Sequence, residues 1–272
     1  MANKRLTQRF PFLLPLRRWQ RKQCFYLAMR FDHNRYAHEC AGTLLPFEVF
    51  SSSQVMVNEH SGYDIRYQYN KVHNLKLAAA GIHRLLIRPG ETFSFWMRVR
   101  NADRKEPYRD GLVLVNGAIT GSYGGGLCQL SNLLYWLFLH SPLTVTERHG
   151  HASESVAGAE GDQPFGTDAT VSEGWCDLKV TNRTAHTYQI SITFDDTSIY
   201  GALLSDASPD FFYEIYNPSV TYEKKQGQIF QNASVTCRRI DRLTGRAEQI
   251  PLYDNRCQIG YPLPEGTIVT EN

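Results

Sequence analysis

The sequence predicts an α+β fold in which antiparallel strands pack around a central apolar helix, with a basic N-terminal helix and a β-rich C-terminal segment. Three observations lead to this prediction. Residues 129–139 are apolar on nearly every side of a helix. Apolar and polar residues alternate in several segments around that helix, and short β-like runs separated by turn residues fill the chain after residue 205.

The composition is that of a folded protein. Of the 272 residues, 42% are apolar and 21% are charged, which argues against disorder or low complexity. The net charge is only +2, so no overall positive field favours nucleic acid. The six cysteines include no Cys-x-x-Cys pair, and we expect reduced thiols rather than a disulfide framework or a zinc finger. No nucleic-acid partner, metal or cofactor is predicted.

The N-terminal segment is basic. Residues 16–31 predict a helix with Leu16, Trp19 and Leu27 near one face, and eight basic residues but no acidic one precede Asp32. We expect the apolar face of this helix to pack on the core. The alternative is that residues 1–31 contact an anionic membrane surface.

The same segment bears on localisation. Residues 10–16 are apolar, but two prolines interrupt them and Arg17 and Arg18 follow, which is unlike an export signal. No segment approaches the roughly 18 apolar residues of a membrane span. We therefore expect a protein that is cytoplasmic, or peripheral at the inner face of the membrane.

The next elements are predicted from periodicity and turn residues. Residues 70–82 have helical apolar spacing, with Asn70 as the N-cap. Pro89-Gly90 predicts a type II turn joining two strands as a hairpin. Asn116-Gly117 predicts a second hairpin, because this pair suits the tight turn between antiparallel strands.

The second half of the chain is mostly predicted as strand. Ser141-Pro142 ends the central helix, and residues 188–194 and 199–204 show strand patterns. We therefore predict three parts. These are a basic N-terminal segment (1–34), a core domain (35–205) and a β-rich extension (206–272).

Cys128 is the first candidate for chemistry, because it lies where a glycine-rich loop meets the central helix. Free N–H groups at a helix start stabilise a thiolate. His149 and His151 are candidate bases, and Asp168 can orient an imidazole. The order Cys, His, acid resembles that of papain-like hydrolases. The alternatives are a buried, inert thiol beside packing glycines, or a zinc site formed by Cys128 and the two histidines.

Glu91 is a second candidate of a different kind. It follows a turn between apolar strands, where burial raises a carboxyl pKa and suits a general acid acting on a glycosidic bond. Asp168 would then be the second carboxylate. The alternative is a turn carboxylate that accepts backbone N–H bonds.

Several ordered motifs resemble those of the VanW-domain family, over residues 3 to 265. The motifs are RLTQRFPFLLP, NLKLAAA, RPGETFSFW, GGGLCQLSNLLYW, TERHGH and TDATVSEGWCDLKV. The core pieces shared with the broader family correspond to residues 89–95, 126–131, 148–151 and 168–169.

The resemblance implies a context and a set of site residues. The family is associated with vancomycin (glycopeptide) resistance, and vancomycin binds the D-Ala-D-Ala end of peptidoglycan stems. The implied partner is therefore a peptidoglycan precursor, stem peptide or glycan strand. The motifs imply the catalytic candidates named above. The implied substrate-binding residues are Gln129, Ser131 and Arg148, with Gly125 and Gly126 of the adjoining loop.

Together these observations predict an accessory protein of glycopeptide resistance that acts on or binds peptidoglycan-related material. In the first hypothesis, Cys128 attacks an amide or ester carbonyl, His151 or His149 transfers the proton, and Asp168 orients the imidazole. In the second, a non-catalytic module binds a stem-peptide carboxylate through Arg148. In the third, Glu91 is the general acid of a glycan-cleaving enzyme.

Gln129 follows the cysteine, whereas the oxyanion-hole glutamine of papain-like enzymes precedes it, so we expect Gln129 to hydrogen bond at the helix start.

Overall fold

The computed structural model describes residues 10–59, 62–115, 118–154 and 163–271. Its four helices and several sheets confirm the predicted α+β class. The described helices are α1 (Leu14–Phe31), preceded by a 3-10 turn (Pro11–Leu13), α2 (Arg66–Ala80), α3 (Phe95–Val99) and α4 (Cys128–Leu139). The described strands are β1 (Arg35–Tyr36), β2 (Phe47–Val55), β3 (Leu86–Ile87), β4 (Glu91–Ser94), β5 (Asp110–Val115), β6 (Ala118–Tyr123), β7 (Thr144–Glu147), β8 (Ser153–Glu154), β9 (Lys179–Thr181), β10 (Tyr188–Phe194), β11 (Ser198–Ser205), β12 (Phe211–Lys225), β13 (Gln228–Asp241), β14 (Ala247–Ile259) and β15 (Val269–Glu271).

These strands form three sheets and one hairpin. One four-stranded sheet has the order β1-β4-β9-β7, and a second has the order β2-β11-β10-β3. A five-stranded sheet, β15-β12-β13-β14-β8, contains the long C-terminal strands, and β5 pairs with β6 as a hairpin. Among the described strands, parallel pairing is confined to β1 with β4, β12 with β15 and β14 with β8. The sheets are therefore mainly antiparallel, as predicted.

The helix α4 lies at the centre of the core, as predicted. Leu133 and Leu137 lie against Gly201 of β11, where a Cβ would be 3.0 Å from Leu137, so the small residue lets helix and strand approach closely. On another side of α4, the ring of Phe138 lies 5.3 Å from that of Phe93 in β4. The helix thus packs against two different sheets, and this position fixes where its N-terminus lies.

The helix α1 is present, but it does not pack in the expected direction. Phe25 and Tyr26 contact the core and Met29 is buried, so these residues form the packed side. The apolar residues predicted to face the core, Leu16, Trp19 and Leu27, are exposed. The expectation that they pack on the core is therefore wrong. No helix in the described part of the chain is long and apolar enough to cross a membrane.

The start of α2 also differs from the prediction. The helix begins at Arg66, so Asn70 lies inside it, and the Asn70 amide donates to the Asp110 carbonyl at 2.8 Å. The predicted N-cap is wrong because Asp64 supplies a local acceptor earlier in the chain. Its carboxylate accepts the Arg66 N–H at 2.9 Å.

The Pro89-Gly90 turn is confirmed, but the hairpin predicted around it is wrong. The Glu91 N–H donates to the Arg88 carbonyl at 2.9 Å, and Gly90 has a φ of 77°, as a type II turn requires. However, β3 pairs with β10, whereas β4 pairs with β1 and β9. The turn therefore carries the chain from one sheet to another. After β4, the Ser94 hydroxyl caps α3 by accepting the Met97 N–H at 3.2 Å.

The second predicted hairpin is confirmed by the antiparallel pairing of β5 with β6. Its predicted turn, Asn116-Gly117, lies outside the described residues. The base of this hairpin leads into the glycine loop before α4. The side chain of Asn74, which is fully buried in α2, donates to the carbonyls of Arg109 and Gly125 at 2.8 and 3.0 Å. These bonds fix the loop against α2.

Candidate active site

Cys128 is the first residue of α4. The residue as a whole is half-buried, whereas most of the helix that follows it is buried. The thiol lies 3.5 Å from the Thr170 hydroxyl and donates to the Val171 carbonyl at 3.8 Å. The backbone N–H of a first helical residue has no carbonyl to bind within its own helix. Cys128 therefore places a thiol at the positive end of a helix dipole.

His151 and Asp168 lie beside this thiol. The His151 imidazole is near enough to the Cys128 thiol that each group shifts the pKa of the other. Its Nδ1 lies 2.5 Å from Oδ2 of Asp168, which leaves Nε2 as the nitrogen for the thiol. The same Asp168 oxygen accepts the His151 backbone N–H at 2.7 Å. Asp168 therefore fixes both the position and the orientation of the imidazole.

Arg148 holds Asp168 in place. Its Nη2 lies 2.7 Å from Oδ1 of Asp168, and both side chains are largely buried. The guanidinium also donates to the carbonyls of Asp168 and Gly166 at 2.6 and 2.7 Å, and to Oδ1 of Asn255 at 3.1 Å. Arg148 is thus fully engaged inside the protein.

Two tyrosine rings enclose this guanidinium. Cζ of Arg148 lies 4.8 Å from the ring centre of Tyr253 and 5.6 Å from that of Tyr135. The Tyr135 hydroxyl donates to the Tyr253 hydroxyl at 2.7 Å, and the latter donates to the Gly166 carbonyl at 2.9 Å. The C-terminal strand β14, which carries Tyr253 and Asn255, therefore completes the support behind Asp168.

The charges of the cluster favour an ionised thiol. Burial by itself would raise the pKa of Cys128, but hydrogen bonds with His151 and Thr170 outweigh it and hold that pKa below its ordinary value. Burial would likewise lower the pKa of His151, but the Asp168 carboxylate and the Cys128 sulfur raise it. Arg148 and His151 keep the pKa of Asp168 below its usual range despite burial. The arrangement favours the ionised forms of the Cys128 thiol and the His151 imidazole.

One face of α4 fastens the segment that carries Asp168. Ser131 is fully buried, and its hydroxyl donates to the carbonyls of Cys128 and Ala169 at 3.1 and 2.6 Å. Oδ1 of Asn132 accepts the Ala169 N–H at 2.7 Å. Residues 128, 131 and 132 share this face because they are three and four positions apart. Ser131 therefore holds the site together rather than facing its opening.

The structure does not bring His149 to the thiol. Its Nε2 faces Oε1 of Glu147 at 3.1 Å, and its side chain points into a more exposed environment than that of His151. A zinc site formed by Cys128, His149 and His151 is therefore not assembled. Of the two candidate bases, His151 is the one in contact with Cys128.

Glu91 also lies outside the cluster. Its side chain is buried, with one oxygen 3.2 Å from Arg35 and the other accepting the Arg88 N–H at 2.9 Å. Glu91 is the first residue of β4. Its neighbour Thr92 and the first residue of β7, Thr144, both pair with Thr181 of β9, so Glu91 lies near the end of the sheet where β7 begins. Arg148–His151 follow the opposite end of β7, beyond Glu147. Glu91 is thus placed as the turn carboxylate of the alternative interpretation.

The predicted loop glycines have packing roles in the structure. A Cβ on Gly125 would overlap the backbone of Gly111. Gly126 has a φ of 94°, and a Cβ there would overlap the side chain of Lys71. Nε2 of Gln129 donates to the Val55 carbonyl at 2.8 Å, while its Oε1 is buried and has no partner among the described residues. The loop is therefore closely packed where it meets Cys128.

Comparison with known proteins identifies the family. The family model described as VanW-like protein matches residues 70–204. The chain is 49% identical, over its whole length and 99% of the relative, to the vancomycin B-type resistance protein VanW of Enterococcus faecalis. The chain belongs to the VanW family. It is also 33% identical over 114 residues, covering 42% of this chain and 36% of the relative, to the uncharacterized protein YoaR of Bacillus subtilis. No solved structure matches it.

The VanW-family motifs divide into two groups in the structure. Those at residues 126–131, 148–151 and 168–169 meet at Cys128. The motif at 89–95 instead supports the neighbouring backbone, because Ser94 donates to Asp177 at 2.5 Å and the Trp96 backbone N–H donates to the same carboxylate at 3.1 Å. The VanW-family motifs thus include both the segments that surround Cys128 and a segment that supports the neighbouring backbone.

Sequence reasoning missed several residues of this VanW-family site. Asn132 and Thr170 lie inside quoted motifs, and helical spacing from Cys128 signals the first of them. Tyr253 and Asn255 come from the C-terminal sheet and have no local signal. A further side chain, that of Lys71, crosses the glycine loop at Gly126 and has no acidic partner among the described residues. Burial lowers the pKa of Lys71 to about 8.

Proposed function

We propose that this protein is a cysteine-dependent hydrolase or transferase that acts on an amide or ester bond of peptidoglycan precursors or fragments in glycopeptide resistance. The observation that carries the proposal is the arrangement of Cys128 beside His151, whose imidazole hydrogen bonds to Asp168, at the start of a buried helix. The assignment to resistance rests on membership of the VanW family and on the name of the full-length relative.

In the proposed reaction, Cys128 is the nucleophile, and His151 first donates a proton and later regains one. The Cys128 thiolate attacks the carbonyl carbon, and the oxygen gains negative charge near the Cys128 backbone N–H, since the next two N–H groups already donate to the Gly126 and Leu127 carbonyls. The His151 imidazolium then donates its Nε2 proton to the departing amine or alkoxide, which leaves a thioester on Cys128. Water or an acceptor amine gives its proton back to His151 as it attacks the thioester, so the thiolate–imidazolium pair is restored.

The two other hypotheses have weaker support. A binding module would need Arg148 to meet a substrate carboxylate, but that guanidinium already binds Asp168, Gly166 and Asn255. A glycan-cleaving reaction would need Glu91 beside a second carboxylate, whereas Glu91 is paired with Arg35.

We propose Lys71 as the cation that meets the substrate carboxylate. Its side chain passes over Gly126, two positions before Cys128, and no described carboxylate pairs with it. A D-Ala-ended stem carries a carboxylate near the scissile bond, and an ammonium in a partly desolvated position suits it. This role of Lys71 would favour acyl substrates that carry a free carboxylate near the scissile bond.

The proposed activity is tested by mass-spectrometric product analysis. Peptidoglycan fragments and D-Ala-ended precursors are incubated with the wild type, with Cys128→Ala and with Cys40→Ala, in which an exposed cysteine is removed as the control. We expect the wild type and the control to cleave the substrate and Cys128→Ala to be inactive. Cleavage by Cys128→Ala would contradict the nucleophile. Stem-peptide binding without cleavage by any of the three proteins would favour the binding module.

The role of Lys71 is tested separately by Lys71→Met, which keeps the length of the side chain. We expect KM for a D-Ala-ended substrate to rise about tenfold, because the lost interaction is a charge-assisted hydrogen bond. KM for an amidated analogue and the alkylation rate of Cys128 should stay unchanged. An equal change in KM for both substrates would show that Lys71 acts through the fold of the loop.

A further inference from the structure

The helix α1 presents an apolar face to solvent. Phe12, Leu16, Trp19 and Leu27 follow one another at helical spacings of three, four or eight positions, so they share one side. These side chains and Phe31 are between 57% and 76% exposed. A face of this size that is not used for packing indicates an interaction surface.

Other residues of α1 already hold the helix on the protein. Phe25 and Tyr26 pack against the core, and the Tyr26 hydroxyl donates to Glu173 at 2.6 Å. Lys22 pairs with the same Glu173 at 2.8 Å. The exposed apolar face is therefore not needed to anchor the helix.

The charge around this face is positive. The helix contains Arg17, Arg18, Arg21, Lys22 and Arg30, and the chain has no acidic residue before Asp32. Among the described residues, Arg17, Arg18 and Arg30 pair with no carboxylate. A second copy docking through the same face would bring two such basic helices together, and their repulsion disfavours that arrangement.

We propose that α1 lies in the plane of an anionic lipid surface, with Phe12, Leu16, Trp19 and Leu27 inserted at the boundary between headgroups and acyl chains. Aromatic side chains favour this boundary, and flanking arginines meet acidic headgroups. The structure holds the helix by other residues, so it can insert while remaining packed on the domain.

The proposal is tested by flotation of the full chain with lipid vesicles at low salt. We expect binding to vesicles of phosphatidylglycerol and phosphatidylcholine but not to phosphatidylcholine alone. We expect this binding to fall as salt rises to roughly 0.5 M, where screening is strong. Leu16→Ser with Trp19→Ser should weaken it at least tenfold, because apolar insertion and charge act together.

The matched control is Leu243→Ser with Ile268→Ser, which removes two apolar side chains elsewhere that are even more exposed than Leu16 and Trp19. This control should bind like the wild type, and circular dichroism should show that both double variants are folded. Absence of wild-type binding to anionic vesicles would overturn the proposal. An equal loss of binding in the control would also overturn it. So would a finding that the wild type is a dimer that does not bind vesicles and that the Trp19→Ser substitution dissociates.

Discussion

Replacing His151 by alanine is expected to lower the alkylation rate of Cys128 at pH 6, because the thiolate fraction falls about tenfold for each unit by which the thiol pKa rises above the pH. In the wild type, His151 and Thr170 hold the thiol pKa below its ordinary value despite burial. Without the imidazole, the remaining desolvation moves the pKa of Cys128 upward. The measurement is iodoacetamide labelling followed by peptide mass spectrometry across a pH series.

The pH dependence of this reactivity has a defined sign. The Cys128 thiolate should persist to a lower pH than the ordinary pKa of a thiol would allow. His151 should stay protonated well above pH 6.5, because Asp168 raises its pKa. Activity should therefore fall in acid as Cys128 gains a proton and in alkali as His151 loses one.

His149→Ala is the matched control for this experiment. His149 faces Glu147 rather than the thiol, so its removal should leave the alkylation profile of Cys128 unchanged. If His149→Ala and His151→Ala have the same effect, the orientation of His151 by Asp168 is not what activates the thiol.

Replacing Arg148 by alanine is expected to lower the free energy of unfolding by about 3 kcal/mol at pH 7, because it leaves the buried Asp168 carboxylate without one of its two cations. His151 remains as the second partner of Asp168, so the loss of unfolding free energy should lie at the low end of the values known for broken buried ion pairs. The cavity between the Tyr135 and Tyr253 rings adds to the cost. Urea denaturation followed by fluorescence measures the difference.

The effect of Arg148 should depend on pH in a direction set by Asp168. The folded state lowers the pKa of this carboxyl, so the interaction stabilises the protein above the ordinary Asp pKa and is lost as pH falls through the folded value. The gap between the wild type and Arg148→Ala should therefore narrow in acid. Asn255→Ala, which removes one hydrogen bond of the same guanidinium, should cost only about 1 kcal/mol. A pH-independent gap would contradict the role of the ion pair.

Much of the fold was predictable from the sequence because it depends on local patterns. The central helix and the antiparallel pairing of β5 with β6 follow from periodicity and turn residues. The pairing around Pro89-Gly90 was mispredicted because a turn reveals local geometry but not which sheet each strand joins. The direction of α1 was mispredicted for a related reason, since apolar spacing shows that residues share a face but not which face the core covers.

The candidate site was predictable where its residues lie in short motifs. Residue type and the order Cys, His, acid along the chain point to Cys128, His151 and Asp168. The spacing of the two histidines from Cys128 does not distinguish His151 from His149. The structure separates them because Asp168 accepts both the backbone and the side chain of His151. Tyr253 and Asn255 had no signal, since their role depends on long-range packing of β14.

The dependence of the site on β14 has a consequence for biosynthesis. Tyr253 and Asn255 lie 118 and 107 positions after their partners Tyr135 and Arg148. A nascent chain on the ribosome therefore exposes Cys128 and His151 before the strand that restrains Arg148 has been made. Until then, the salt bridge behind His151 lacks its C-terminal supports. The cluster around Cys128 thus reaches its fully supported geometry only late in translation.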